Sequence, residues 1–210
     1  LACNRFVEIK NLSRAVEAFA RYLGDTQAGS SQCAGNRTGR WNLCLLGDGP
    51  LFNDITAHTT RLGMRIKQCA PWEDTYSGKV AGTIYFPGFL QVADLPAFYA
   101  NASAFFHPAV REPWGLVLNE AMASGLPLLA SRNGGAAEEL IDDGINGTCF
   151  DPLCIEDISR AMVQVSSLTP QELKRWGQAS ARILEERAPS PAFGEGLKQL
   201  LVNAGNPACK

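Results

Sequence analysis

A chain of 210 residues has room for one sizeable domain, or for one domain with a helical extension. Its 46% apolar and 19% charged residues are ordinary for a globular protein, and a net charge of −2 offers no basic field for nucleic acid or an acidic membrane surface. No apolar run approaches the roughly 18 to 20 residues needed to cross a bilayer.

The sequence opens at Leu1 inside an apolar run, as a piece of a longer protein would. Residues 2–7 read as a strand, 12–23 as an amphipathic helix, and 24–40, rich in Gly, Ser, Thr and Asn, as a surface loop. Residues 41–46 form a compact strand, broken by Gly47-Asp48-Gly49-Pro50 and followed by a helix to about residue 62. A strand at 83–86, a short helix at 93–101 with Asp94 near its start, and a buried strand at 104–106 come next. Then follow a helix at 115–124, a strand at 126–130, a short helix at 136–141 and a short strand at 148–150. From Ile155 the chain is helical, with breaks at Thr169-Pro170 and at 189–191. This alternation predicts parallel βαβ units, hence an α/β fold: a Rossmann-like doubly wound parallel sheet with helices on both faces. The simplest partition is a nucleotide-binding domain over residues 1–165 and a helical tail over 166–210.

The seven cysteines are odd in number, scattered, and free of any Cys-x-x-Cys spacing, which argues against a disulfide scaffold or a zinc site. A reduced, cytoplasmic protein is the reading, with association at the inner face of a membrane left open. In that compartment the four Asn-x-Ser/Thr triplets carry no meaning.

In doubly wound sheets ligands sit outside the carboxyl ends of the strands, so the loops leaving those ends carry the chemistry. The stretch from His107 to Gly125 places Glu112 before a helix and Glu120 on it, eight positions later. Between them, Pro113-Trp114-Gly115 forms a turn at a helix start, whose free amides and dipole suit an anion. Carboxylates beside an anion site suit sugar hydroxyls. The plainer alternative makes Glu112 a cap and Glu120 a solvated residue. Arg5 at the end of the first strand and Lys10 at the opening of the next helix would face the same edge, where a diphosphate needs neutralising. His107 reads better as a satisfied buried histidine than as a base, and the Gly47–Pro50 turn as structural. Gly134-Gly135, ahead of Glu138-Glu139, fits a second ligand-facing loop. No Asp-x-Asp triplet occurs, so no metal and no other cofactor are expected.

Taken together, the segments "RFVEIKN", "LLGDGP", "EPWGLVLNEAMASG" and "GGAAEELIDDGINGTCFDP" resemble the C-terminal, donor-binding domain of the family-four retaining glycosyltransferases of GT-B fold. That resemblance implies that Arg5 and Lys10 hold the donor diphosphate, Glu112 the hydroxyls of the transferred sugar, and Glu120 those of the ribose. It implies that the backbone around Trp114, Gly115, Leu116 and Val117 meets sugar and phosphate, and that Gly88, Phe89 and Leu90 lie by the nucleobase. Asn4 stands where the family commonly has Gly. The donor would be a UDP-, GDP- or ADP-sugar, transferred with retention and without a metal. The acceptor would bind an absent N-terminal domain, against which the helices at 171–186 and 191–204 would pack. Trp176, Phe193 and Leu197 would then be exposed, and the chain would transfer no sugar by itself. An epimerase or sugar-phosphate synthase on the same architecture, and a non-catalytic binding module, are the competing readings.

Overall fold

The computed structural model describes residues 1–27, 41–74 and 82–188. Residues 28–40 of the loop expected at 24–40, and the last expected helix with Phe193 and Leu197, lie outside the described residues. Runs such as Leu43–Leu46 and Leu128–Ser131 are apolar at every position or nearly so, which suits strands covered on both sides. The pairing bears this out. One ladder joins β1 (Ala2–Cys3), β2 (Leu43–Leu46), β3 (Arg65–Lys67) and β4 (Thr83–Gly88) in the order β1-β2-β4-β3. A second joins β5 (Phe105–His107), β6 (Leu128–Ser131) and β7 (Gly147–Phe150) in sequence order. All pairs in both ladders are parallel.

The ladders meet at β1 and β5, where Leu1 N donates to Ala104 O (3.0 Å) and Phe106 N to Leu1 O (2.7 Å). The sheet therefore grows outward from β1 in one direction, returns to β5 beside it, and grows outward in the other. That reversal is a topological switch point.

Side chains of adjacent strand residues alternate between the two faces. Phe106 and Leu129 pack with α1 (Leu12–Gln27), α2 (Phe52–Arg61) and α6 (Ile155–Ser166). Phe105 and Leu128 pack with α3 (Leu95–Ala100), α4 (Leu116–Ala123), α5 (Gly135–Leu140) and α7 (Pro170–Arg187). The doubly wound architecture is as expected.

Four details differ. The first strand stops at Cys3 because the chain turns at Arg5, where Val7 N donates to Arg5 O (2.9 Å), and enters a 3-10 turn over Glu8–Lys10. Arg5 and Lys10 thus both sit in the connecting loop, not at the ends of a strand and a helix. The helix α1 continues to Gln27, past the point where the loop was expected. The strand β3 was not expected: it is three residues long with Ile66 as its one apolar residue, and its sequence signal is correspondingly faint.

Trp176 is the fourth. Expected on an exposed face, it is 4% exposed and part of the core. Its helix opens with a Thr169/Glu172 capping box and lies hard against the turn between α4 and β6. A Cβ on Gly177 would stand 1.9 Å from Gly125 O, and Ser180 Oγ donates to Leu126 O at 2.7 Å.

Candidate functional site

At the switch point the carboxyl ends of β1, β2, β4 and β5 surround a cleft of about 830 Å³, within the size range of ligand sites, roughly 300 to 1,000 Å³. From the β1 loop come Asn4, Arg5 and Lys10; from the turn after β2, Gly47 and Asp48. The loop after β4 contributes Phe89 and Leu90, and the loop after β5 together with the start of α4 contributes Glu112, Trp114, Gly115, Leu116 and Val117. Of the residues expected at the site, the fold brings together Arg5, Lys10, Phe89, Leu90, Glu112, Trp114, Gly115, Leu116 and Val117, and Gly47 and Asp48, read as a structural turn, line the cleft with them. Gly88 and Glu120 do not line the cleft. Gly88 lies just behind it, its carbonyl accepting from Gly47 N (2.9 Å), and Glu120 accepts from Tyr99 Oη (2.7 Å) on the α4 flank.

The Glu112 loop is held rigidly. Glu112 N donates to Asn133 O (3.2 Å), Gly135 N to Glu112 O (3.2 Å) and Ala136 N to Trp114 O (2.9 Å). The Gly134-Gly135 segment, expected as a second ligand-facing loop, braces the Glu112 loop through the Gly135 amide and is not part of the cleft lining. Gly115 caps α4 with φ +99°, a left-handed conformation that other residues rarely adopt. That turn frees the first amides of α4, which have no carbonyl partner within the helix.

Arg5 is exposed and has no ion pair among the described residues. Lys10 Nζ is paired with Glu112 Oε2 across the switch point. The formal charges lining the cleft cancel, with Arg5 and Lys10 against Asp48 and Glu112. An anion here is therefore bound by local geometry, not by a net field.

His107, at the end of β5, is 1% exposed, and its Nε2 lies 3.2 Å from Glu112 Oε2. Burial above all, then the charge of Lys10, pushes its pKa down to about 4. Sequence reasoning took this ring to be fully satisfied, but its Nδ1 has no partner among the described residues. The carboxamide of Asn4, buried at the foot of the cleft, is in the same position. A polar residue in a position commonly held by Gly was the visible signal for Asn4. For His107 the only signal was its place next to Pro108 at a strand end.

The parallel sheet with its switch-point cleft defines the chain as a Rossmann-like domain of GT-B type. Over residues 76–182 it matches the model of the family described as glycosyl transferases group 1, and the chain belongs to that family. The sulfoquinovosyl transferase SQD2 of Arabidopsis thaliana is 33% identical over 117 residues, which is 55% of this chain and 19% of that protein. HepE of Anabaena, solved in complex with UDP, superposes with a TM-score of 0.70 at 22% identity, over 96% of this chain and 48% of that one. The C-terminal domain of the group 1 glycosyl transferase LpcC of Francisella tularensis gives a TM-score of 0.65 at 18% identity, over 89% of this chain and 84% of that one. The chain thus spans less than a fifth of the curated relative and about half of HepE.

Proposed function

We propose that the cleft binds a nucleoside diphosphate sugar, with a UDP-sugar as the first choice, and that the chain is the donor-binding part of a retaining glycosyltransferase. The observation that carries this reading is the convergence of Arg5, Lys10 and Glu112 at the switch point. The fold is shared with HepE, which was solved with UDP. Arg5 and Lys10 hold the diphosphate, with the amides of Gly115, Leu116 and Val117 beside it. Glu112 and the Trp114 backbone meet the transferred sugar, and Glu120, outside the cleft lining, meets the ribose by leaving Tyr99. Gly88, Phe89 and Leu90 flank the base. Lys10 must leave Glu112 to do this, so donor binding exchanges one ion pair for another.

Transfer then rests on stabilising charge on the departing diphosphate, and no metal takes part. The leaving phosphate oxygen takes the acceptor's proton. The acceptor sits on an N-terminal GT-B domain, so these 210 residues alone bind nucleotide but transfer no sugar. The cytoplasm, including the inner face of a membrane, is the proposed location.

A thermal-shift screen against UDP, GDP and ADP tests the donor site. A ligand at about 100 times its dissociation constant adds roughly 2.7 kcal/mol. Stabilisation by UDP that disappears in Arg5→Ala is the expected result. Stabilisation by GDP or ADP alone would change the donor class, and a shift indifferent to Arg5→Ala would remove Arg5 from the site.

A further inference from the structure

Among the described residues, the buried side-chain polar atoms without a partner belong to Asn4, which lines the cleft, and His107, which lies behind it against Glu112. The histidine is the more informative. With its pKa far below neutrality the ring carries a single N–H. Glu112 Oε2, a carboxyl oxygen 3.2 Å from Nε2 that also accepts from Lys10, places that proton on Nε2 and leaves Nδ1 bare in the interior. A residue kept only for packing would carry no such cost, since an aliphatic side chain of similar size leaves nothing unsatisfied there.

Two donors therefore meet on Glu112 Oε2, and they differ in kind. Lys10 reaches it on a flexible four-carbon stem from the loop after β1. His107 is fixed in a strand and buried. The rest of Glu112 is already constrained, by the backbone brace and by Gly115, on which a Cβ would lie 3.1 Å from Glu112 Cγ. The remaining freedom is the rotation of the carboxylate. Its Oε1 has no hydrogen-bond partner among the described residues.

We propose that His107 is a positioning residue: its Nε2–H holds the Glu112 carboxylate in place when Lys10 turns away to the donor diphosphate, keeping Oε1 directed at the hydroxyls of the transferred sugar. The inference rests on the donor-site reading above. His107 acts through Glu112 and touches no reacting atom.

The chain has two histidines, His58 and His107, so imidazole ¹⁵N spectra can be read directly. At pH 7 the His107 ring is expected as the neutral Nε2–H tautomer, with its proton signal displaced in Glu112→Gln. An Nδ1–H tautomer or a charged ring would overturn the proposal without any ligand. Calorimetry with UDP and with UDP-glucose supplies the second arm, on wild type, His107→Leu, His107→Gln and Glu112→Gln. His107→Leu should bind UDP as wild type does but UDP-glucose about tenfold more weakly, the loss of roughly one hydrogen bond. His107→Gln, with an amide N–H in reach of the carboxylate, should stay within about twofold for both.

Wild-type UDP-glucose binding in His107→Leu alongside weakened binding in Glu112→Gln would reject the positioning role and leave the donor site standing. UDP-glucose binding in Glu112→Gln that changes in step with UDP binding, with no loss specific to the sugar, would reject the role of Glu112 itself, and this proposal with it. Equal losses for UDP and UDP-glucose, not rescued in His107→Gln, would mark His107 as merely structural. If His107→Leu does not fold, the spectra and His107→Gln still decide.

Discussion

Lys10 and Glu112 neutralise one another across the cleft, while Arg5 stands exposed with no ion pair among the described residues. Their substitutions should therefore behave differently. Arg5→Ala removes a ready phosphate ligand and should lower kcat/KM about 100-fold or more in a transfer assay. Glu112→Gln releases Lys10 from its partner, so UDP should bind a few-fold more tightly even as sugar transfer falls. Weaker UDP binding in Glu112→Gln would mean that the ion pair does not compete with the ligand. His107 adds a pH dependence whose sign is fixed by its depressed pKa. The unfolded ring takes up a proton near pH 6.5 and the folded ring only near pH 4. Its contribution to stability is thus whole above about pH 6.5 and is lost as pH falls towards 4, on the order of 3 kcal/mol. Melting curves of wild type and His107→Gln should converge or cross over that window; parallel curves would show that His107 is not the group titrating.

Short connections do most of the positioning. Gly115 starts α4 at the cleft, and the amides of Gly135 and Ala136 hold the loop that carries Glu112 and Trp114. At the other end of α4, the close approach of α7 to the Gly125 turn leaves no space for a side chain at residue 177. Gly177→Ala should cost about 2 kcal/mol through overpacking, read as a lower melting temperature. An unchanged melting temperature would mean that α7 is free to shift outward. The long elements were legible in the sequence: apolar spacing marked α1, α4, α6 and α7, and β2 and β6 read as unbroken apolar runs. The strand β3 and the 3-10 turn at Glu8–Lys10 were not, because three residues are too few to show a period.

For the molecule as a whole, the reversal of strand order between β1 and β5 makes the cleft, and the sheet opens it only to ligands at its carboxyl edge. On the proposed reading the purified chain should show no sugar transfer with any acceptor, and an N-terminal GT-B domain should restore it. Turnover by the chain alone would refute that division of labour. Transfer by the restored enzyme should be indifferent to a chelator; a loss reversed by a divalent cation would refute the metal-free mechanism.

The residue types and their order announced the alternating fold through local spacing, and their motifs carried the resemblance that pointed to the family and to about half of the residues that line the cleft. The relations across the sheet were not readable in advance. The pairing of Lys10 with Glu112, the buried His107 beneath them, the burial of Trp176 and the brace from Gly135 all join residues far apart in the chain or on different elements. Such contacts depend on strand order and on which face each side chain takes. Only tertiary packing sets both, since burial and charge pairing act between neighbours in space.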